Sequence, residues 1–186
     1  MPDSHYPVAD LIRKRRTVRQ FKDDPIPLAL LMELIEIANW APNHGLREPW
    51  RYILYREEAR EAFTKAVLRA MSAEEVAKYG EQRAKDYATI PCHLIVAMKE
   101  DPRQKQWEED FGAVCSWIQS FQLAAWERGV GVVWKTNSYI FSLRFREAVG
   151  VGDGEKVVGV LHIGYPDAIP EPRPRSAAAS KLTVHG

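Results

Sequence analysis

Trp107-Glu108-Glu109-Asp110-Phe111-Gly112-Ala113-Val114-Cys115-Ser116-Trp117-Ile118-Gln119-Ser120-Phe121-Gln122-Leu123-Ala124-Ala125-Trp126-Glu127-Arg128 is the longest stretch of helical spacing in the chain, and it is apolar almost all round. An unbroken helix here is about 33 Å long at 1.5 Å per residue, with Gly129 as its stop. Phe111, Val114, Trp117, Ile118, Phe121, Leu123, Ala125 and Trp126 cannot share one face, so the helix must be covered on several sides. In a chain of 186 residues that places it at the centre of the domain and predicts a subunit interface along it.

Apolar strands bracket this helix. Cys92-His93-Leu94-Ile95-Val96-Ala97-Met98 is a near-continuous apolar run of the kind that fills a buried central strand. Val130 to Trp134 and Val157 to Ile163 give two more, the second entered through an Asp153-Gly154 turn, and the aromatic and branched Trp50 to Tyr55 gives a fourth. Helices are expected over 7–14, from Pro25 and Pro27 to about Trp40, over 57–70, over 73–88, and from the polar loop Lys135-Thr136-Asn137 to about Val149. Ser72 with Glu75 three residues on is a capping box for the fourth of these. Residues 57–90 are strongly charged outside and read as a peripheral helical cover, while 166–186 is a proline-rich extended tail. This order predicts one α+β layered domain over 1–186. The absence of GxGxxG after any strand and of a P-loop excludes the two common nucleotide-binding motifs.

Composition narrows the function further. The 26 Lys and Arg nearly cancel 25 Asp and Glu, so the molecule has no overall field to draw it to nucleic acid or an acidic membrane. Cys92 and Cys115 stand far apart and outside any CxxC pattern, which predicts neither zinc nor a disulfide framework and points to a reduced, cytoplasmic setting. Asp3, His5 and Asp10 interrupt the N-terminus, so no signal peptide is expected, and the uncharged run Phe111 to Trp126 is too short for a membrane span.

Charge is instead concentrated locally, in Arg13-Lys14-Arg15-Arg16-Thr17-Val18-Arg19-Gln20-Phe21. Arginine presents a planar fork of donors matched to phosphate oxygens, and Thr17 adds a hydroxyl. After Arg16 the spacing changes from helical to alternating, so Arg15 and Thr17 can face one way and Arg16 the other. A phosphate site and a solvated or nucleic-acid-binding basic patch both fit this stretch. His44, in the proline-flanked loop Ala41 to Pro49, is a candidate ligand donor or general acid; His93 and His162 read as core or strand-end residues, and His5 and His185 lie near the termini. No histidine has metal-ligand spacing. Neither Ser116 nor Ser120 has a GxSxG elbow, and Cys115 lies in the apolar helix, so covalent catalysis is not expected. Trp40 and Trp134 flank the two best loops, where an aromatic could line a flat cofactor pocket.

Arg15-Arg16-Thr17-Val18-Arg19-Gln20-Phe21 resembles the Arg-Arg-Ser-x-Arg-x-Phe opening of the FMN-dependent nitroreductase family. Ala41-Pro42-Asn43-His44 with Pro49-Trp50-Arg51-Tyr52, Gly129 to Trp134, and His162-Ile163-Gly164-Tyr165-Pro166 resemble its later signatures, in order and across nearly the whole chain. The short length is similar to the compact single-domain branch. The resemblance implies a three-layer α+β sandwich with a mostly antiparallel central sheet, an interlocked homodimer and two FMN sites at the subunit interface. It implies an oxidoreductase in which NAD(P)H reduces FMN by hydride transfer and leaves before a small-molecule acceptor, such as a nitroaromatic or quinone, is reduced. The acceptor is left open, because relatives include deiodinases, flavin-fragmenting enzymes and enoate-type reductases.

The resemblance also implies roles. Arg15, Arg16, Thr17 and Arg19 match positions that grip the FMN phosphate and the pyrimidine edge of the ring, with Arg19 near N1 and O2. Asn43 and His44 match residues given by the partner subunit, and Trp134, Lys135 and Thr136 match the segment passing the ring near N5. Arg175 matches a late basic residue completing the phosphate site. Two departures stand out: Thr17 replaces the commoner Ser, and Leu46 stands where relatives often have Asn. Two rival readings are a flavin-storing or flavin-sensing protein without catalysis, and a basic-patch module binding nucleic acid or another anionic partner.

Overall fold

The computed structural model describes residues 6–186, so His5 and Asp3 lie outside the described residues. Ten regular elements are built, in the order α1 (Pro7–Lys14), α2 (Leu28–Ala38), β1 (Trp50–Arg56), α3 (Arg60–Arg69), α4 (Ala73–Ala88), β2 (Cys92–Lys99), α5 (Gln104–Glu127), β3 (Gly131–Lys135), α6 (Leu143–Ala148) and β4 (Glu155–Gly164). The four strands form one sheet in the order β1-β2-β4-β3, antiparallel throughout. Each expected strand is present. The helix expected to run to Val149 is instead a short 3-10 turn, Ser138–Phe141, followed by the separate α6.

Strand alternation divides the core between the two sheet faces. Leu94, Val96, Met98, Leu161 and Ile163 point to the layer of α2 and α5, where Trp117, Ile118 and Phe121 are fully buried. Ile95, Ala97, Val157 and Val160 point the other way, onto Phe63 and Val67 of α3 and Phe145 of α6. Counted from Val160, alternation turns Gly159 to the first face, and a bulge keeps Val157 on the second: Val96 pairs with Gly159 and Ala97 with Val157, leaving Val158 as the extra residue. Gly159 turns toward α5, and the indole of Trp134 lies so close that a Cβ on Gly159 would overlap its Nε1.

One expectation needs correcting. The segment 57–90 is not uniformly peripheral, because Phe63 and Val67 of α3 are fully buried and anchor the second core. Only α4 has a cover's character: it buries Gly80 and Tyr87 and starts with the capping box, Glu75 N donating to Ser72 Oγ and Ser72 N to the Glu75 carboxylate. Helix α5 is covered only in part within one chain: Val114, Trp117, Ile118 and Phe121 are fully buried, whereas Trp107, Phe111, Leu123 and Trp126 are half-buried. Its exposed positions include Gly112 and Gln119, whereas large exposed apolar side chains lie on α1 (Val8, Ile12), on α2 (Leu28, Met32, Ile37) and in the tail (Ile169, Leu182, Val184). No helix among the described residues is long and apolar enough to cross a membrane.

Candidate active site

The basic stretch leaves α1 and runs along the outer edge of β3. Thr17 bridges Val132 in parallel fashion, and the Val18 amide donates to the Val132 carbonyl at 3.3 Å. Val18 is fully buried against Gly131, where any Cβ would meet the Val18 side chain at 2.7 Å. Farther along, Phe21 bridges Pro166 and the Lys22 amide donates to the Tyr165 carbonyl at 2.9 Å. Residues 17–22 are therefore fixed against both the start of β3 and the exit from β4, and the buried Val18 leaves its polar neighbours directed elsewhere.

Two groups of cations result. In the first, Arg15 is half-buried and its Nη1 is buried with no hydrogen-bond partner. Burial holds its pKa below the ordinary arginine value, and the charges of Arg16 and Arg175 lower it further. Arg16 is partly committed, since its Nη1 donates to the carbonyls of Arg13 at 2.7 Å and Arg15 at 2.9 Å and so caps the end of α1. Arg175 arrives from the tail, exposed, with Nη1 donating to the Arg173 carbonyl at 2.8 Å. Among the described residues no carboxylate pairs with any of the three.

The second group is Arg19, Lys135 and Arg83, which line a cavity of about 380 Å³ under the C-terminal half of α4. Burial lowers the Lys135 pKa, and repulsion from Arg19 and Arg83 adds to it. Val133, Lys135 and His162 stand on this face of the sheet. Trp134 alternates to the other face and packs over Gly159, so its ring does not line the cavity as the sequence suggested; its backbone is the part left to act there. Thr136 follows, exposed. The wall of the cavity also exposes a feature unforeseen in the sequence. His93 and His162, both buried, face each other across β2 and β4 with their Nδ1 atoms 2.8 Å apart. Burial holds both below the ordinary histidine value, His162 down to about 3, so both rings are neutral and share one Nδ1 proton.

Trp40, Asn43 and His44 line neither the cavity nor its rim. Trp40 ends α2 with 91% of its surface exposed, and His44 is exposed in the 3-10 turn His44–Leu46. Asn43 staples its own loop: Nδ2 donates to the Ala41 carbonyl at 3.2 Å, and Oδ1 accepts from the Glu48 amide at 3.0 Å. Gly45, Leu46 and Glu48 all have positive φ (63°, 51° and 45°), a left-handed run that costs free energy at the two non-glycine positions. What holds it is Arg47, which donates from Nε and Nη2 to both oxygens of the buried Asp110 on α5, at 3.1 and 3.0 Å. Lining residues that escaped the sequence reading include Arg83, Asp86, Tyr87 and His162. The i, i+4 spacing of Arg83 and Tyr87 on one face of a charged helix was the available signal.

The sequence model of the Nitroreductase family matches residues 12–165. The chain belongs to the nitroreductase family. A Bacillus subtilis (strain 168) protein, YfhC, is 33% identical over 183 residues, spanning 96% of this chain and 94% of its own. The crystal structure of a nitroreductase-like family protein from Bacillus cereus superposes with a TM-score of 0.95 at 41% identity, over 100% of this chain and 99% of that one. The FMN- and NADPH-dependent nitroreductase NfnB from Sphigopyxis sp. strain HMH shares the fold at 21% identity, with a TM-score of 0.78 over 97% of this chain and 100% of its own. The antiparallel sheet between two helical layers is thus the nitroreductase fold.

Proposed function

We propose that the chain is an FMN-dependent oxidoreductase that takes reducing equivalents from NAD(P)H and passes them to a nitroaromatic, quinone or similar small-molecule acceptor in alternating half-reactions. One observation carries this reading: the buried, unpartnered Nη1 of Arg15 in a group of cations that no carboxylate among the described residues neutralises. A buried donor without a partner costs about 1–3 kcal/mol, so the arrangement is favourable only when an anion of phosphate type sits against it. Arg15, Arg16, Thr17 and Arg175 would hold the FMN phosphate; Arg19 and Lys135 would face the ring, with the backbone of Trp134 and Thr136 beside it. Bound there, FMN supplies hydride acceptance and donation at N5. The protein's own part is positional and electrostatic: fixed cations by the ring favour the added negative charge of the reduced state. The FMN- and NADPH-dependence of NfnB, which shares the fold, supports the cofactor and reductant.

The unit is a homodimer in this reading, with residues 1–186 as one FMN-binding domain per subunit, α4 as its outer cover and the 166–186 tail laid on the partner. Trp40 is 91% exposed, Leu46 82% and Val184 75%, and the loop bearing Trp40, Asn43 and His44, braced on α5 by Arg47, leaves its outer side uncovered in its own chain. Those three residues would reach the partner's flavin. Free Cys92 and Cys115 suit a cytoplasmic setting.

The absorption spectrum of the purified protein tests the function. A yellow protein bleached by NAD(P)H and restored by an acceptor is the expected result; a colourless protein that refuses FMN returns the basic stretch to anion or nucleic-acid binding, and a yellow protein that NAD(P)H leaves unchanged is a store or sensor. Sedimentation tests the assembly. We expect a dimer at micromolar concentration, burying more than roughly 2,000 Å² as obligate interfaces do, and a stable monomer would refute it.

A further inference from the structure

A hydride alone does not complete the reduction of a quinone or a nitro group. One hydride and one proton turn a quinone into a hydroquinone, and the same pair turns a nitro group into a nitroso group and water. A group beside the flavin whose charge can follow that of the flavin is able to hold this proton between the half-reactions. The lining of the flavin cavity leaves one such group. Arginine keeps its proton inside proteins, which removes Arg19 and Arg83. His162, 2% exposed, is neutral and has its Nδ1 bonded to that of His93. The Tyr87 hydroxyl is engaged by Tyr139. Asp86 lies on α4 with Arg83, offsets the charge of that arginine and accepts from Gln82 Nε2 at 2.8 Å. Lys135 remains.

Strand alternation puts Lys135 on the cavity face with Val133, opposite Val160 of β4. Its side chain is half-buried and makes no ion pair among the described residues. The charges facing it are Arg19 from the 17–22 segment and Arg83 from α4, with Asp86 beside Arg83, while β4 brings only the neutral His162. Burial and two guanidinium charges disfavour its ammonium form, and no carboxylate is bonded to it to restore that form. A negative charge arriving in the cavity reverses the balance. The reduced flavin carries that charge and the oxidised flavin does not. Arg19 is charged in both states, so it favours the reduced ring without moving a proton.

We propose that Lys135 is the redox-linked proton site of the enzyme: it binds a proton when the flavin is reduced and releases it when the flavin is reoxidised. The inference rests on the flavoenzyme reading, in which Lys135 faces the ring. In the first half-reaction NAD(P)H loses a hydride and leaves as NAD(P)+, and the Lys135 amine becomes an ammonium with one proton from solvent. In the second the hydride passes to the acceptor, the acceptor's oxygen takes the proton, and Lys135 returns to the amine. Each turnover thus delivers one hydride and one proton.

The test is a spectroelectrochemical titration of the FMN-loaded protein between pH 6.5 and 10.5. Where Lys135 is neutral beside the oxidised flavin and charged beside the reduced one, reduction binds one extra proton. There the plot of midpoint potential against pH steepens by a tenfold change in equilibrium per pH unit, about 30 mV for a two-electron couple. Lys135→Met should lose this interval and lie below wild type at the acid end, the two plots drawing together as pH rises. Lys135→Arg keeps the charge without the titration, so it should restore the potential at the acid end and leave the steep interval missing. A wild-type plot without the interval overturns the inference. So does an interval that survives in either variant, which would assign the proton to another group. If Lys135→Met does not retain FMN, wild type and Lys135→Arg still decide. A protein that binds no FMN removes this inference together with the flavoenzyme reading, whereas parallel plots from a flavin that NAD(P)H bleaches remove the inference alone.

Discussion

Acidification from pH 6.5 to 4.5 is expected to remove on the order of 5 kcal/mol of stability, enough to unfold many domains of this size. The cause is the buried pair His93 and His162, whose Nδ1 atoms share a proton at 2.8 Å. His93 stacks on Phe63 at 4.2 Å between ring centres and meets Tyr87 edge-on, and the nearest charges are cationic: Arg60 toward His93 and Lys135 toward His162. A hydrogen bond to the Tyr87 backbone is what favours an imidazolium at His93, and burial and the neighbouring cations outweigh it. Both histidines have folded pKa values below the unfolded value near 6.5, so the unfolded chain binds up to two more protons than the folded one as pH falls. The stabilisation is complete above pH 6.5 and is lost as pH falls toward about 3, at up to about 2.7 kcal/mol per pH unit for two protons. Carboxylates with depressed values, such as Glu155 held by Arg51, enter only below about 4.5, so the upper window belongs to the pair. Urea unfolding of wild type and His93→Asn between pH 7.5 and 4.5 tests this. The variant should show about half the pH slope; an unchanged slope would mean that other groups set the acid limit.

The strands were legible because their apolar runs are long and bounded by turn residues, and Cys92 to Met98 could hardly be anything but a central strand. Helix α5 was legible for the same reason. What the sequence could not show is which apolar residues a chain covers by itself. The ring of apolar residues on α5 suggested surplus surface there; the sheet and α2 bury Val114, Trp117, Ile118 and Phe121 fully and leave Leu123 and Trp126 half-buried, while the most exposed apolar side chains lie elsewhere, among them Trp40, Leu46 and Phe141 and residues of α1, α2, α4 and the tail. Outer charge likewise misled over 57–90: the same helix that shows Glu61 and Lys65 to solvent buries Phe63 and Val67 completely. Charge density reports one face of a helix and says nothing of the other.

At the site, local spacing carried the 15–19 cations, because Thr17, Val18 and Arg19 alternate in a nearly extended segment. Contributions from distant residues were not visible. Arg83 reaches the cavity only because α3 and α4 fold back over the sheet, and His162 meets His93 only through the register of β2 on β4. Trp134 shows the converse failure. Its place in the motif suggested a ring in the pocket, but strand alternation sets it opposite Leu161, with the ring over Gly159 and away from the cavity. Asn43, which the resemblance matched to a residue given to the partner's flavin, has both ends of its amide bonded inside its own loop.

Replacing Arg15 by alanine is expected to move cofactor affinity and apoprotein stability in opposite directions. In the folded apoprotein Arg15 is a liability: its Nη1 is buried without a partner, and the charges of Arg16 and Arg175 press on it. Alanine removes both penalties, and it fits the extended backbone (φ −55°, ψ 134°) at the end of α1 without strain. The apoprotein should therefore melt at the same temperature or slightly higher. With FMN present the sign reverses, because a charge-assisted bond to the phosphate, worth about 1.5–3 kcal/mol, is lost and affinity falls by roughly 10- to 150-fold. A bound ligand stabilises in proportion to the logarithm of its saturation, so the rise in melting temperature on adding FMN should shrink in Arg15→Ala. Thermal melts with and without FMN, alongside a fluorescence titration of the flavin, separate the two effects. Unchanged FMN affinity would place Arg15 outside the phosphate site, and a destabilised apoprotein would make it a structural residue whose unpartnered nitrogen has some other cause.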